Sequence, residues 1–291
     1  MPSQKGQQIV LKIQRLHLDL ENQFDKKIPD ILDQLANRAT EIIINANLPT
    51  DPKERAKAIK ELRYIKRDLV EAIATLPVYV DAVSDLTIGM EKLKVLTDDY
   101  FSALIDGYSN KPALYKEILK SNIESVHDKM LGSGIRDNFG EAIKGVLRAN
   151  IAGESSRTQL NAAVRKSIVG TPEQKSFLNR YIKQVSNDSV QIFNAEYFET
   201  VSTDLNIEYF YYQGTLIEDS RSFCKARAGR YFTKAEVQGW ASLGHWNGRM
   251  PGTTKQTIFS FRGGYSCRHL ILPITEAEYL TKKGQGRAGI K

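Results

Sequence analysis

The chain has 291 residues, of which 41% are hydrophobic and 26% charged, and its formal net charge is +7. This composition is typical of folded proteins and excludes global disorder. A chain of this length can bury the core of one large domain or of two ordinary ones. No apolar run approaches the length of a membrane span, and the first residues lack the apolar core of a signal peptide. We therefore expect a protein that is made and used in a cytoplasm, with no membrane partner.

The positive charge is concentrated near the C-terminus. From Ser220 onward there are 13 Lys and Arg against 3 acidic residues, whereas the first 219 residues hold 28 basic against 31 acidic residues. Such an excess favours a polyanionic partner, with double-stranded DNA as the first candidate. A basic surface that only aids solubility is an equally compatible interpretation. The residues predicted to face DNA are Lys282, Lys283, Arg287 and Lys291.

The first two-thirds of the sequence predicts α-helices. Apolar residues recur at three- and four-residue steps over residues 13–42, as one buried helix face requires. Pro29 falls inside this pattern, and we expect it to kink the helix or divide it in two. Residues 48–50 predict a break, and the sequence Asp-Pro-Lys-Glu at 51–54 predicts the N-cap and first turn of a second helix. That helix should end near residue 76.

Further helices are predicted beyond this point. Weaker helical patterns lie at about 85–106 and 112–130. The sequence Gly-Ser-Gly at 132–134 predicts a flexible joint, and we place the main domain boundary there, so that residues 1–132 form a helical arm for docking. Apolar periodicity then predicts helices within residues 139–203. Such stripes are typical of core packing between antiparallel helices, so no cofactor site is inferred from them.

The pattern changes after residue 206. The aromatic and β-branched run at 207–212 predicts a strand, and residues 258–261 and 270–272 predict two more. Residues 233–236 predict the start of a short helix with a capping box. The sequence thus predicts an α+β protein. A long N-terminal helical region precedes a small, irregular β-containing C-terminal module at 207–275, and a basic, flexible tail follows at 276–291.

The two cysteines of the chain lie in this module, each beside an arginine or close to one. By residue type alone, four side chains make a tetrahedral zinc set: Cys224, His245, Cys267 and His269. Neither cysteine has a partner two to four residues away, so the spacing disfavours a zinc knuckle. Two facing thiols that could form a disulfide are a second interpretation. Two buried small hydrophobic residues are the third and preferred one, so no cofactor is expected and zinc is kept as the alternative.

Arginines and one aspartate surround the cysteines in sequence. An aspartate beside guanidinium groups can accept several charge-assisted hydrogen bonds. We therefore predict a structural clasp that closes the module, formed by Asp219, Arg221, Cys224, Arg230, Cys267 and Arg268. The same residues make a weak catalytic set, since they lack a second carboxylate, a nucleophile next to a histidine and a phosphate-cradling glycine loop. We predict a protein that is not an enzyme.

These runs resemble the sequence pattern of the phage Mu F-like minor head proteins, the phage head morphogenesis family. In that family an Asp-x-Arg segment leads to a cysteine and then to Gly-Arg or Gly-Lys, as at residues 219–230 here. A later stretch ends in Cys-Arg and a short strand with a proline, as at residues 267–273. Many members have a second cysteine where this chain has Arg227, and a further one where it has His269. The resemblance covers roughly residues 139–275, within a domain set at 133–275.

The resemblance implies a structural role. Members of the family are present in few copies, associate with the portal vertex of the procapsid, and act in head assembly and in DNA packaging or ejection. It implies the portal protein and a major capsid or scaffold protein as partners, with the virion and the host cytoplasm as locations. Two alternatives stay open. One is a zinc-dependent hydrolase or nuclease that uses Cys224, Cys267 and His269; the other is a nucleic-acid-binding adaptor unconnected with virions.

Overall fold

The computed structural model describes residues 4–46, 48, 55–109, 112–153 and 155–289. Its elements, in chain order, are α1 (Gln4–Asn45), α2 (Arg55–Ala74), α3 (Pro77–Leu104), α4 (Pro112–Met130), α5 (Ser133–Ala152), α6 (Arg157–Val169), α7 (Phe177–Asp204), β1 (Tyr209–Gln213), α8 (Ser222–Lys225), β2 (Tyr231–Thr233), α9 (Lys234–Gly239), α10 (Ile258–Phe261), β3 (Leu270–Ile274) and α11 (Glu276–Gly284). The predicted fold class is confirmed: a long helical region precedes a small β-containing module. The N-cap predicted at 51–54 lies outside the described residues.

The chain forms two compact units, each assembled from separate stretches. One, which we call the C-terminal unit, comprises the described residues up to Asp19, then Ile88–Asn122 and everything from Asn187 onward. The other, the helical unit, comprises Leu20–Thr87 and Ile123–Ser186. Several long helices run from one unit into the other, so the units are interleaved along the sequence.

The joint predicted at residues 132–134 is a short, hydrogen-bonded turn inside the helical unit. Only two residues separate α4 from α5. The Asp128 carboxylate accepts hydrogen bonds from the hydroxyl and the backbone N–H of Ser133, and the N–H of Gly132 donates to the carbonyl of His127. These bonds satisfy polar groups of the turn, and residues on both sides of it belong to the helical unit.

Helix α1 runs through Pro29 without a break, so the predicted division is wrong. A proline inside a helix removes one hydrogen bond and costs about 3 kcal/mol. Pro29 lies on the exposed face, whereas Ile28, Ile31 and Leu32 on the opposite face are almost completely buried. Burial of one such side chain contributes about 1.5–3 kcal/mol, so the apolar face outweighs the cost of the proline.

In the helical unit, α5 packs against both α2 and α6. Its buried side chains recur every four residues: Ile135, Phe139, Ile143 and Leu147. An ion pair of 2.5 Å between Lys66 and Glu141 joins α2 to α5. Among the residues that the structure describes, no helix is both long enough and apolar enough to cross a membrane.

The sheet of the C-terminal unit has three antiparallel strands in the order β2-β1-β3. Tyr209 on the central strand lies opposite Thr233 on one side and Ile274 on the other. The strands predicted at 207–212 and 270–272 are confirmed. Strand β2 was not predicted, because three residues are too few to show a period-two pattern.

Residues 258–261 form the short helix α10, so the strand predicted there is wrong. A four-residue apolar run has too little periodicity to distinguish a helix from a strand. Here the N–H of Phe261 donates to the carbonyl of Thr257, and the N–H of Arg262 donates to that of Ile258. This one-turn helix buries Ile258 and Phe259 in the core.

Most of the segment predicted as a flexible tail from residue 276 forms regular structure. Glu276–Gly284 is helix α11, which begins at the N-cap Thr275. After it, the carbonyl of Arg287 accepts a hydrogen bond from the N–H of Tyr231, and the N–H of Gly289 donates to the carbonyl of Tyr231. The segment therefore pairs with β2 through a parallel bridge. The polar composition concealed an amphipathic helix that buries Tyr279.

Candidate functional site

The two arginine-rich runs meet at their cysteines. Cys224 lies on α8 and Cys267 in the loop before β3, and their Sγ atoms are 4.0 Å apart. Nδ1 of His269 is 3.8 Å from Sγ of Cys267. All three side chains are buried, with 2%, 3% and 7% of their surface exposed. We call these three residues the Cys–His cluster.

Tyr212 of β1 closes one side of the Cys–His cluster. Its hydroxyl oxygen is 3.4 Å from Sγ of Cys224 and 3.8 Å from Sγ of Cys267. Its ring stacks on the imidazole of His269, with centroids 5.1 Å apart. Burial raises the pKa of the Tyr212 hydroxyl well above its usual range, so the group stays a neutral donor or acceptor.

Two glycines leave the space that the Cys–His cluster occupies. A Cβ atom at Gly263 would lie 2.6 Å from Sγ of Cys224 and 2.8 Å from Sγ of Cys267. A Cβ atom at Gly214 would overlap the imidazole of His269. Because backbone packs directly against the sulfur atoms and the ring, a side chain at either position would displace the cluster.

Helix α7 anchors the loop that carries Cys267. Both terminal nitrogens of the Arg262 guanidinium donate to the carbonyl of Gln191, at 3.0 and 3.1 Å. The N–H of Ser266 donates to Oδ1 of Asp188 at 2.5 Å. Arg262 is only 2% exposed. Sequence reasoning missed this residue, because arginine is seldom fully buried and no local pattern marks Arg262 as an exception.

A second buried arginine lies three residues after Cys224. The guanidinium of Arg227 lies 3.7 Å from the ring centroid of Phe223 and 4.7 Å from that of Trp240. It also donates to the carbonyl of Phe223. Burial lowers the pKa of Arg227 to about 10, so it remains charged at neutral pH. At this position many proteins of the resembled family have cysteine; here a cation stacked on aromatic rings fills the space.

The hydrogen bond between the two thiols shifts their pKa values in opposite directions. The hydrogen bond from Cys224 lowers the pKa of the Cys267 thiol, helped by His269 and by the charge of Arg262, although burial opposes the shift. The same hydrogen bond, together with burial, raises the pKa of Cys224. The pair therefore favours one thiolate on Cys267, and a second thiolate requires a cation nearby.

The Cys–His cluster faces a cavity of about 570 Å³ in the C-terminal unit. The lining residues with polar side chains are Gln14, His17, Gln191, Thr215, Asp219, Ser220, Arg221, Cys224, Asn247, Ser266, Cys267, Arg268 and His269. A cavity of this size can take a small organic molecule or several water molecules. Two arginines outnumber the single carboxylate, so the lining favours an anionic ligand.

His17 is a buried histidine in the wall of this cavity. Its side chain is 6% exposed, and its Nε2 has no hydrogen-bond partner among the described residues. Burial, with a smaller contribution from the charge of Arg262, lowers the pKa of His17 to about 3. The folded protein therefore holds this imidazole neutral down to strongly acidic pH.

The neutral His17 should make the protein lose stability in mild acid. Below a pKa of about 6.5 the unfolded chain binds a proton at this residue that the folded chain cannot bind, so stability falls as the pH falls towards 3. The slope for one proton is about 1.4 kcal/mol per pH unit. We expect the unfolding free energies of wild type and His17→Gln, measured by urea denaturation, to converge by about 2 kcal/mol between pH 7 and pH 5.

The control for this measurement is His127→Gln, since His127 is exposed on α4. This variant measures the effect of the same replacement at a histidine that is not buried. If the His17→Gln difference changes with pH no more than the His127→Gln difference does, then the assigned neutral state of His17 is wrong.

The predicted clasp is partly assembled. Besides the two cysteines, Arg221 joins the two runs, because it donates to the carbonyl of Tyr265 at 2.6 Å. Arg230 instead donates to the carbonyl of Gly289 at 2.9 Å. Arg268 is exposed and lines the cavity.

Asp219 does not accept the charge-assisted hydrogen bonds expected of it in the clasp. Asp219 is exposed, and none of the ion pairs or hydrogen bonds among the described residues involves its carboxylate. The guanidinium of Arg221 turns instead towards the backbone of Tyr265 and Gly248. An exposed carboxylate is hydrated, and a surface ion pair would stabilise the protein by less than about 1 kcal/mol.

Three of the four residues of the predicted zinc set lie close together, and His245 does not. The ligand atoms of Cys224, Cys267 and His269 all lie within 4.8 Å of one another. His245 is exposed in the loop after Trp240 and is not part of that group. Sequence spacing could not reveal the cluster, because its members are brought together by pairing of β1 with β3 and by the position of α8.

The residues predicted to face DNA lie at the end of α11 and beyond. Lys283 and Arg287 are exposed, Lys282 is half-buried, and Lys291 lies outside the described residues. Lysines in the last turn of a helix interact favourably with its dipole, so a local structural role for Lys282 and Lys283 accompanies any role in binding.

Comparisons with known proteins add no assignment. The chain matches none of the protein-family models, and neither the curated proteins nor the solved structures contain a match.

Proposed function

We propose that the chain is a virion structural protein, a minor head protein of the phage Mu F-like type that associates with the portal vertex. In this role it assists head assembly and DNA packaging or ejection. One observation carries the proposal: the two runs that resemble the family pattern come together at their buried cysteines. Cys224 and Cys267 are 43 residues apart in sequence, yet their Sγ atoms are 4.0 Å apart. Two separated motifs that form a single physical unit are what one family domain requires.

The arginines of the module support a structural role. Five of them donate to backbone carbonyls: Arg221, Arg227, Arg230, Arg249 and Arg262. The bonds from Arg221, Arg230 and Arg262 join segments that are distant in the sequence. Inside a loop-rich module, a guanidinium donates to backbone carbonyls the hydrogen bonds that regular secondary structure would otherwise provide. This use of arginine favours a scaffold that holds its shape over a site in which arginines bind substrate.

Affinity purification with the portal protein of the same phage genome tests the proposal. We expect the full tagged chain, co-expressed with that portal protein, to retain it through washes at physiological salt and to co-elute with it on size exclusion. The full chain is needed, because the two units are interleaved and a cut at residue 132 would damage both. A chain that elutes alone in the presence of excess portal protein would overturn the proposal.

One helix face can be tested for docking in the same assay. Ile88 and Val95 are exposed on α3 and lie seven residues apart, hence on the same face. Val95→Glu should weaken portal retention if this face enters the interface. Ile59→Glu on α2 is the matched control, because Ile59 is exposed to a similar extent, 55% against 58% for Val95.

We further propose that duplex DNA is contacted by the basic C-terminal end. The balance of 13 basic to 3 acidic residues after Asp219 supports this contact, and so does the exposure of Lys283 and Arg287. Binding through phosphate contacts weakens steeply as salt concentration rises. Salt-dependent retention of duplex DNA by the purified full chain is the measurement that bears on this contact.

A further inference from the structure

The Cys–His cluster has the dimensions of a metal site. In a tetrahedral zinc site with Zn–S of about 2.3 Å and Zn–N of about 2.0 Å, ligand sulfur atoms are about 3.8 Å apart and a sulfur and a nitrogen about 3.6 Å apart. The Sγ atoms of Cys224 and Cys267 are 4.0 Å apart. Nδ1 of His269 is 3.8 Å from Sγ of Cys267. Both distances match the tetrahedral edges to within a few tenths of an ångström.

The surroundings hold these three side chains in place. Gly214 and Gly263 bring backbone against the imidazole and the two sulfur atoms, so the side chains cannot retreat into those spaces. Nε2 of His269 is buried and has no hydrogen-bond partner among the described residues, so no competing hydrogen bond fixes the ring. The ring is positioned by stacking on Tyr212.

The charge and the softness of the three ligands determine which metal the site favours. Two thiolates and a neutral imidazole carry a charge of −2, which a divalent cation cancels. Thiolate sulfur and imidazole nitrogen are preferred by zinc and disfavoured by magnesium and calcium, which take oxygen ligands. The buried cation Arg262 lies five residues before Cys267 and forms no ion pair with a carboxylate among the described residues, so anionic sulfur in this core is electrostatically favourable.

We propose that Cys224, Cys267 and His269 bind one zinc ion through two thiolates and one imidazole nitrogen. The three residues also line the 570 Å³ cavity, so the fourth ligand is supplied from the cavity side. The ion joins α8 to the loop before β3, two segments that share few regular hydrogen bonds. In a small module with a loop-rich core, metal binding contributes directly to folding stability.

A disulfide is the competing chemistry for this pair. It requires the sulfur atoms to approach from 4.0 Å to about 2.05 Å. Both cysteines are free thiols in the structure. A disulfide would remove both thiolates from the metal site, so zinc binding and disulfide formation exclude each other and a single preparation distinguishes them.

Metal analysis of the full chain tests the proposal. Purified under reducing conditions without added chelator, the protein should contain one zinc per chain. Cobalt in place of zinc should give the visible absorption of a tetrahedral site together with a sulfur-to-cobalt charge-transfer band. Neither thiol should react with a thiol reagent until a strong chelator is added. These wild-type measurements decide the question even if a variant fails to fold.

Variants then identify the ligands. Cys267→Ala and Cys224→Ala should lose stoichiometric zinc, and His269→Ala should weaken zinc binding by more than the roughly 10–100-fold that the loss of an outer-shell partner costs. His245→Ala is the matched control, an exposed histidine of the same module that should bind zinc as wild type does. Substoichiometric zinc with two reactive thiols, or a chain isolated with a Cys224–Cys267 disulfide after reduction and zinc loading, would overturn the proposal.

Discussion

Replacing Trp240 by alanine is expected to lower the free energy of unfolding of the C-terminal unit by about 5 kcal/mol. Trp240 makes edge-to-face contacts with three aromatic rings: Tyr212, Phe223 and Phe232. It also lies 4.7 Å from the guanidinium of Arg227. Its removal therefore leaves a large cavity and takes from a buried cation one of the two rings that stabilise it.

The measurement is urea denaturation followed by near-ultraviolet circular dichroism, which reports on packed aromatic side chains. Trp240→Phe should recover more than half of the loss, because a ring remains under the guanidinium. Tyr265→Ala is the control, since this aromatic side chain of the same module is 36% exposed. A loss below about 1 kcal/mol for Trp240→Ala would show that the aromatic cluster does not determine the stability of the unit.

Replacing Gly264 by alanine should be nearly as damaging, at about 4 kcal/mol. Gly264 has φ of 97°, a conformation in which a side chain costs about 1–2 kcal/mol. An added Cβ would also overlap the backbone carbonyl oxygen of Gly248, which cannot rotate away as a side chain could. The loop that carries Cys267 would have to move, and the hydrogen bond from the N–H of Tyr265 to the carbonyl of Gly248 would be lost.

A second glycine allows the cost of the positive φ to be measured without the steric overlap. Gly229 has φ of 79°, but a Cβ atom there would meet nothing within 4 Å. Gly229→Ala should therefore cost only the conformational strain, about 1 kcal/mol, in the same denaturation experiment. If Gly264→Ala and Gly229→Ala cost the same, then the close approach of Gly264 to Gly248 is absent in solution.

The elements that sequence predicted correctly are those whose signals are local. Helix α7 and strand β1 follow from apolar periodicity and from aromatic and β-branched composition. The capping box at Thr233 is present as predicted, with Thr233 and Glu236 exchanging hydrogen bonds across one turn. Such signals involve residues within four positions of one another, so no knowledge of the tertiary structure is needed.

The predictions that were wrong concern segments whose structure depends on packing against residues distant in the sequence. Residues 258–261 became helix because their apolar side chains reach the core from one turn, and the tail became helix because Tyr279 packs under the sheet strands. The same holds for the candidate site. The two cysteines were identified as related, but their distance depends on strand pairing, and the burial of Arg227 and Arg262 depends on rings and carbonyls far along the chain.

The segment that follows α11 has a consequence for how the protein can associate with others. Residues 287–289 pair with Tyr231 on the outer side of β2. On the opposite outer strand, β3, Pro273 has no N–H to donate to a neighbouring strand. Both borders of the sheet are thus unsuited to receiving an added strand, which guards the module against edge-to-edge aggregation. A partner of this module must therefore recognise its side chains or its helices, since no strand can be added to the sheet.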